Sequence, residues 1–204
     1  MRKKKHGAER LAACSEYIVK SSAELENKPY ALEIGCGKGG FITEAAQREP
    51  QTQFLAMEKQ PDVLLLAVEK AKSLGLKNVK FIIGNADKLP DYVGDSEIKR
   101  IYLNFSDPWP KAGHYKRRLT YRGFLENYKR ALIPGGELRI KTDNDILYDF
   151  SLTEFEASGF ILRNLTRDLH ASEYAADNII TEYEEIFSSK GFTIKQAVAV
   201  LPIC

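Results

Sequence analysis

The run Tyr30-Ala31-Leu32-Glu33-Ile34 breaks on Gly35-Cys36-Gly37-Lys38-Gly39-Gly40, and behind it Phe41, Ile42, Ala45 and Ala46 recur on one helical face. A short strand that turns on glycines straight into an amphipathic helix leaves few architectures open. The glycines permit a tight turn and let backbone N–H groups approach a ligand at the helix start. The pattern then repeats. Residues 54–57 read as a second strand, and a helix from Pro61-Asp62 to Gly75 turns Leu64, Ala67, Val68 and Ala71 inward. Residues 79–83 and 100–103 read as the third and fourth strands. Residues 121–132 predict a helix stopped by Pro134-Gly135-Gly136, followed by a fifth strand at 137–141 and a helix capped by Asn144 and closed at Gly159. Late strands are predicted at 160–165 and 193–200. Strands alternating with helices of this length predict an α/β fold with a parallel, doubly wound sheet.

With 204 residues the chain has room for a single sizeable core. Residues 7–25 predict an amphipathic helix, and Glu26-Asn27-Lys28-Pro29 separates it from the first strand. We therefore expect a basic N-terminal arm and helix over 1–28 and one domain over 29–204. Thirty Lys and Arg against 28 Asp and Glu give a net charge of +2, so bulk charge does not single out a nucleic-acid binder. The distribution says more. Arg2, Lys3, Lys4, Lys5 and His6 crowd one end, and Lys111, Lys116, Arg117, Arg118 and Arg122 form an acid-free run. Cys14, Cys36 and Cys204 are odd in number and lack a metal-ligand spacing, which argues for a reducing, cytoplasmic setting. His6, His114 and His170 share no ligand spacing either, so no metal is expected. No apolar run comes after the basic end, so neither a signal peptide nor a membrane span is expected.

Chemistry gathers at the predicted strand ends. Glu33 and the glycine turn close the first, Glu58 the second, and Asn85-Ala86-Asp87 come after the third. Gly35, Gly37 and Gly40 satisfy G-x-G-x-x-G, so a dinucleotide has to be weighed. The carboxylate of Glu33, just ahead of the first glycine, instead favours a ligand with an ammonium and a sulfonium over one with a pyrophosphate. The fourth strand runs into Asn104-Phe105-Ser106-Asp107-Pro108-Trp109-Pro110-Lys111. That is a rigid turn with a carboxylate and an aromatic face beside positive charge. Amino-group methyltransferases hold a nitrogen beside the donor sulfonium in a similar acid/amide-Pro-Pro-aromatic loop. Thr181-Glu182-Tyr183-Glu184 also has the form of a helix capping box.

The stretch 104–111 with His114-Tyr115-Lys116-Arg117-Arg118-Leu119-Thr120, then Lys141-Thr142-Asp143-Asn144 and Thr181-Glu182-Tyr183-Glu184, resembles the bacterial stand-alone tRNA (guanine-N7-)-methyltransferase family. The resemblance runs from the basic N-terminal segment nearly to the C-terminus. It implies a class I, Rossmann-like S-adenosylmethionine-dependent methyltransferase fold with an antiparallel last strand. It also implies transfer of a methyl group from S-adenosyl-L-methionine to N7 of guanosine 46 (tRNA numbering) in the tRNA variable loop. Carried over by position, Glu33, Gly35, Gly37, Glu58, Asn85, Ala86 and Asp107 would hold the donor, with Asp107 also catalytic. Lys111, Asp143, Thr181, Glu182, Tyr183 and Glu184 would meet the substrate guanosine. Gly113, His114, Tyr115, Lys116, Arg117 and Arg118 would contact the RNA. Ala112 and Gly113 interrupt the charge relatives carry there, and Asn85 stands where some have an acid. Trp109 either packs beside the base or plugs its loop. No membrane, metal or obligate protein partner is implied, and the chain would be a monomer or homodimer. The alternatives are the same fold acting on a small-molecule or protein nitrogen, and a non-catalytic RNA-binding protein.

Overall fold

The computed structural model describes residues 6–26 and 29–203. Arg2 to Lys5, the break at Asn27-Lys28 and Cys204 lie outside the described residues, as does most of the expected basic arm. In chain order the elements are α1 (Gly7–Ala12), β1 (Tyr30–Ile34), α2 (Gly40–Arg48), β2 (Gln53–Glu58), α3 (Pro61–Ser73), β3 (Val79–Ile83), β4 (Ile98–Asn104), α4 (Arg122–Ala131), β5 (Leu132–Thr142), α5 (Asp145–Ala157), β6 (Ile161–Thr166), α6 (Glu182–Ser188) and β7 (Lys195–Val200). The strands form one sheet in the order β3-β2-β1-β4-β5-β7-β6. β1 to β5 pair in parallel, and β7 runs antiparallel to both β5 and β6. The order reverses between β1 and β4, so the crevice beyond their carboxyl ends is where an open α/β sheet receives a ligand.

Period-two alternation divides the core. Leu32, Leu55, Ile101, Leu103, Leu138 and Ile140 face a layer that includes Leu125 and Tyr128 of α4 and Tyr148 and Phe155 of α5. Ala31, Phe54, Ala56, Phe81 and Tyr102 face the apolar sides of α2 and α3. All five residues of β1 are buried, so Glu33 enters the core with its strand.

Two segments depart from their sequence patterns. The predicted helix over 7–25 stops at Ala12, and 3₁₀ turns at Ser15–Tyr17 and Ser22–Glu24 come next. The β-branched pair Ile18-Val19 instead runs along the open edge of β3. Ile18 bridges Phe81, and the Val19 N–H donates to the Phe81 carbonyl at 2.8 Å. Pairing a bare sheet edge outweighs helical periodicity there. Likewise Pro134-Gly135-Gly136 does not end α4 in a loop but lies inside β5, which begins at Leu132. The register slips between the pairs Ile98↔Leu132 and Arg100↔Glu137, so the proline sits in a bulge where it needs no ladder donor.

The Asn144 cap is present: its side chain accepts from the Leu147 N–H at 2.8 Å. Replacing Asn144 by Ala is expected to destabilise the fold by about 1 kcal/mol. Urea unfolding at neutral pH measures this, and an unchanged midpoint would show that the cap contributes nothing.

Candidate active site

The glycine turn needs its glycines. Gly35 and Gly39 have φ of +82° and +79°, and a Cβ on Gly39 would meet the Ala67 Cβ at 2.7 Å. Beyond each glycine and its chain neighbours, no atom of the described residues lies within 4 Å of where a Cβ on Gly35 or Gly37 would sit, so the turn presents bare backbone to open space. The Gly37 N–H donates to Glu58 Oε2 at 3.3 Å and the Gln60 N–H to Oε1 at 3.0 Å, which ties the tip of β2 to the turn.

Two chambers open above the strand ends. The larger, about 570 Å³, is lined by Gly35, Glu58, Asn85, Ala86, Asp107, Trp109, Lys116 and Arg117 among others. The smaller, about 340 Å³, is lined by Glu33, Gly37, Lys38, Phe41, Thr181, Glu182 and Tyr183 among others. Gly35, Asn104 and Phe105 border both. The structure thus gathers around one double cleft every residue expected to hold the donor.

Glu33 is only 3% exposed. Its Oε1 accepts from Asn104 Nδ2 at 2.9 Å, while Oε2 is buried with no partner among the described residues. Burial pushes its carboxyl up to about 7, against the pull of the Asn104 hydrogen bond and the Lys141 charge. An acid so placed, beside bare glycine backbone, fits a cationic amino group. The carboxylates of Glu58 and Asp107 on the neighbouring strand ends suit a cationic ligand and oppose a pyrophosphate.

The loop after β4 is held in an unusual shape. Phe105 and Trp109 have φ of +53° and +42°, a region that costs a bulky residue roughly 1–2 kcal/mol. The Phe105 N–H donates to the Lys141 carbonyl at 2.8 Å, and the Phe105 ring lies 4.8 Å from that of Tyr183. Arg118 secures the far end. It is 6% exposed, donates to the carbonyls of Pro108 at 2.8 Å and Trp109 at 3.2 Å, and places its guanidinium 4.5 Å from the Phe150 ring centre. Arg118 therefore clamps the loop, whereas Gly113, Tyr115, Lys116 and Arg117 are exposed. Arg117 lies 4.9 Å from the centre of the Trp109 ring, and His114 meets that ring edge-on at 5.8 Å. Lys111 is exposed at the start of the 3₁₀ turn Ala112–Arg117.

The substrate-side residues divide in the same way. Thr181 and Glu184 form a reciprocal capping box on α6, and Glu182 reaches Lys38 at 3.7 Å. Tyr183 packs on Phe105; burial first, then the charge of Asp143, raises its phenol. Glu184 is fully buried. Its Oε2 accepts from Lys141 Nζ at 2.6 Å, and its Oε1 from Asn178 at 2.6 Å with His170 Nε2 at 2.8 Å. Burial raises this carboxyl, but the Lys141 ammonium and the donors of His170 and Asn178 hold it below the ordinary range. Lys141 also donates to the Ile179 carbonyl at 2.7 Å and Asn178 Oδ1 at 2.9 Å. All three of its protons are thereby used. Sequence reasoning did not single out Lys141, Asn104, His170 or Asn178 as site residues. For Lys141 the available signal is a lysine in a strand otherwise destined for burial.

A family model described as "Putative methyltransferase" matches residues 27–197. The tRNA (guanine-N(7)-)-methyltransferase of Brevibacillus brevis is 51% identical over 173 residues, covering 85% of this chain and 81% of that protein. The tRNA (guanine-N(7)-)-methyltransferase of Geobacillus kaustophilus is 43% identical, covering 99% of this chain and 97% of that protein. Among solved structures, a SAM dependent methyltransferase from Aquifex aeolicus superposes with a TM-score of 0.60 at 17% identity, over 94% of this chain and 89% of that one. A precorrin-6y C5,15-methyltransferase from Geobacter metallireducens gives 0.57 at 16% identity, over 94% and 87%. These two likenesses extend to the fold.

Lys141→Met leaves Glu184 as a buried charge without its counter-ion and is expected to destabilise the chain by about 3–5 kcal/mol. Adding Glu184→Gln should recover a substantial part of that loss. Urea unfolding of the four chains of this double-mutant cycle measures the coupling, and strictly additive effects would show that the two side chains do not depend on each other.

Proposed function

Because this chain belongs to the tRNA (guanine-N(7)-)-methyltransferase family, we propose that it transfers a methyl group from S-adenosyl-L-methionine to N7 of the variable-loop guanosine of tRNA, guanosine 46 in tRNA numbering. The observation that carries the reading is the convergence of Glu33, Glu58, Asn85 and Asp107, from the ends of four strands, on one double cleft. Glu33 Oε2, without a partner among the described residues, would supply a counter-charge for the donor's ammonium. Glu58 presents a carboxylate suited to ribose hydroxyls, and Asn85 with Ala86 offers amide and backbone groups to an adenine edge.

When bound, the donor supplies a methyl group on a sulfonium that departs as a neutral thioether. Guanine N7 carries an in-plane lone pair and no proton, so the chain has no proton to remove. Its task is alignment and the exclusion of water. The guanosine would enter past the Thr181–Tyr183 wall of the smaller chamber, and Lys111 and Asp143, which line neither chamber, would meet it as it approaches. Positive charge develops on the base as the bond to N7 forms, and the carboxylates of Asp107 and Asp143 would stabilise it. Glu184 acts through Lys141 and the α6 cap, since its own oxygens are turned inward. Lys116 and Arg117, exposed at the rim of the larger chamber, suit the phosphate backbone.

The test is incubation of unmodified tRNA with label on the donor methyl, followed by mapping of the modified nucleotide. One N7-methylguanosine in the variable loop is expected, and label on another base or none at all would overturn the reading. Asp107→Ala should lower turnover about 100-fold or more with an unaltered melting curve.

The raised carboxyl of Glu33 gives the unliganded chain a pH signature. Its folded value of about 7 lies above its ordinary 4.5, so its contribution to stability is complete below about 4.5 and is lost as pH rises to about 7. Donor binding needs the ionised form. Affinity should therefore fall about tenfold per pH unit below 7 and level off above it, and Glu33→Gln should flatten the profile. Calorimetry between about pH 5.5 and 8.5 checks this; a profile with the same slope in the Gln variant would assign the proton elsewhere.

A further inference from the structure

An aromatic series leaves the cleft along α6. Phe105, at the wall between the two chambers, lies 4.8 Å from Tyr183 at 38°. Tyr183 stacks on Phe187 at 4.1 Å and 14°, and Phe187 meets Phe192 at 5.6 Å and 62°. The series does not sink into the core. Tyr183 is 41% exposed and Phe192 50%, and on the same stretch of chain Ile180 and Ile186 are exposed at 56% and 51%. A contiguous exposed patch of this kind at the mouth of a site calls for a partner.

Resting on the function proposed above, we infer that this series is a stacking platform for the unpaired nucleotides that flank the target guanosine. Its inner end reaches the chamber that would receive the base, so an RNA strand whose guanosine enters past Tyr183 has neighbouring bases within reach of the outer rings. Unstacked bases in single-stranded RNA are held in this way on aromatic side chains. The charges decide which part of the strand meets the rings. Glu182 and Glu185 are exposed on α6 and repel phosphates, while Lys190 lies over the Phe187 ring at 5.2 Å. Base faces, not the backbone, are therefore the matching surface. A second copy of this chain suits the patch less well. A stable interface covers about 800 Å² per partner, and this patch is a helix of 7 residues with its closing turn.

The platform contributes affinity without neutralising phosphate, and that separates it from the basic run. With the full chain and an unmodified tRNA, Phe192→Ala is expected to weaken binding about 5- to 100-fold. It should leave the dependence of log affinity on log salt, and donor affinity by calorimetry, unchanged. Phe192→Trp should restore binding. Lys116→Ala with Arg117→Ala should instead lower the salt slope by about 1.4 to 1.8. 2-Aminopurine placed in turn beside the target guanosine should be quenched by the wild-type chain and not by Phe192→Ala. Wild-type affinity and quenching in Phe192→Ala would overturn the platform, as would a dimer seen by sedimentation that this substitution dissociates. Methyl transfer by the wild-type chain to the same RNA reports the function separately. If transfer is normal and Phe192→Ala binds normally, only the platform falls; if no methyl reaches N7, the function reading falls.

Discussion

The Lys141 ammonium sits where the end of β5 meets the segment that leads into α6. It is 6% exposed, and its three protons go to the Glu184 carboxylate, the Asn178 amide oxygen and the Ile179 carbonyl. The rings of Phe41 and Phe105 flank it at 5.7 and 5.8 Å. One group thus joins β5 to the chain that leads into α6. Glu184 in turn caps that helix, so the position of Tyr183 over Phe105 depends on the pair. Such a pair adds little net stability compared with an apolar filling of the same space, but breaking it on one side is costly. It therefore fixes where α6 lies more than how firmly the domain folds.

The placement of charge explains the cleft as well. Glu33 is kept near neutrality by burial, with one oxygen bonded to Asn104 and the other without a partner among the described residues. Asn104 is thus a counterpart to Lys141: each is bonded to a buried acid, Glu33 in one case and Glu184 in the other. The two are register partners on β4 and β5, Asn104 opposite Lys141. The strained backbone of Phe105 lies immediately beyond that pair, held by the Lys141 carbonyl. Strain is tolerated at this point because Leu103 and Thr142, on the two strands that lead into it, are buried and fixed.

Much of this was legible in the sequence because local chemistry and global fold agree. The glycine turn, the strand ends at Glu58 and Asn85, the Asn144 cap and the Thr181–Glu184 box all rest on short-range patterns, and short-range patterns survive folding. The features that could not be read depend on contacts distant in sequence. Ile18 and Val19 abandon a helical pattern because β3 has an open edge, reached at Phe81, far along the chain. Arg118 looks like its neighbours Lys116 and Arg117 in a basic run, yet it turns inward because the carbonyls of Pro108 and Trp109 need donors. Glu184 belongs to the same motif as Tyr183, yet one is fully buried and the other exposed, since a helix turns adjacent residues to different faces.

That division bears on how such a site chooses its nitrogen. An acceptor with a proton to lose would need a base poised at the point of attack, whereas N7 of guanine needs only a lone pair delivered in line and a place for the positive charge that develops. The carboxylates here suit the second requirement. Asp107 is solvent-accessible at the rim of the larger chamber. Glu33, whose carboxyl is raised to about 7, lines the smaller chamber with the glycine turn. On the proposed function, selectivity for a nitrogen that enters unprotonated would arise from the placement of charge, and the choice of guanosine would be left to the shape of the RNA and to the surfaces that bring it to the cleft.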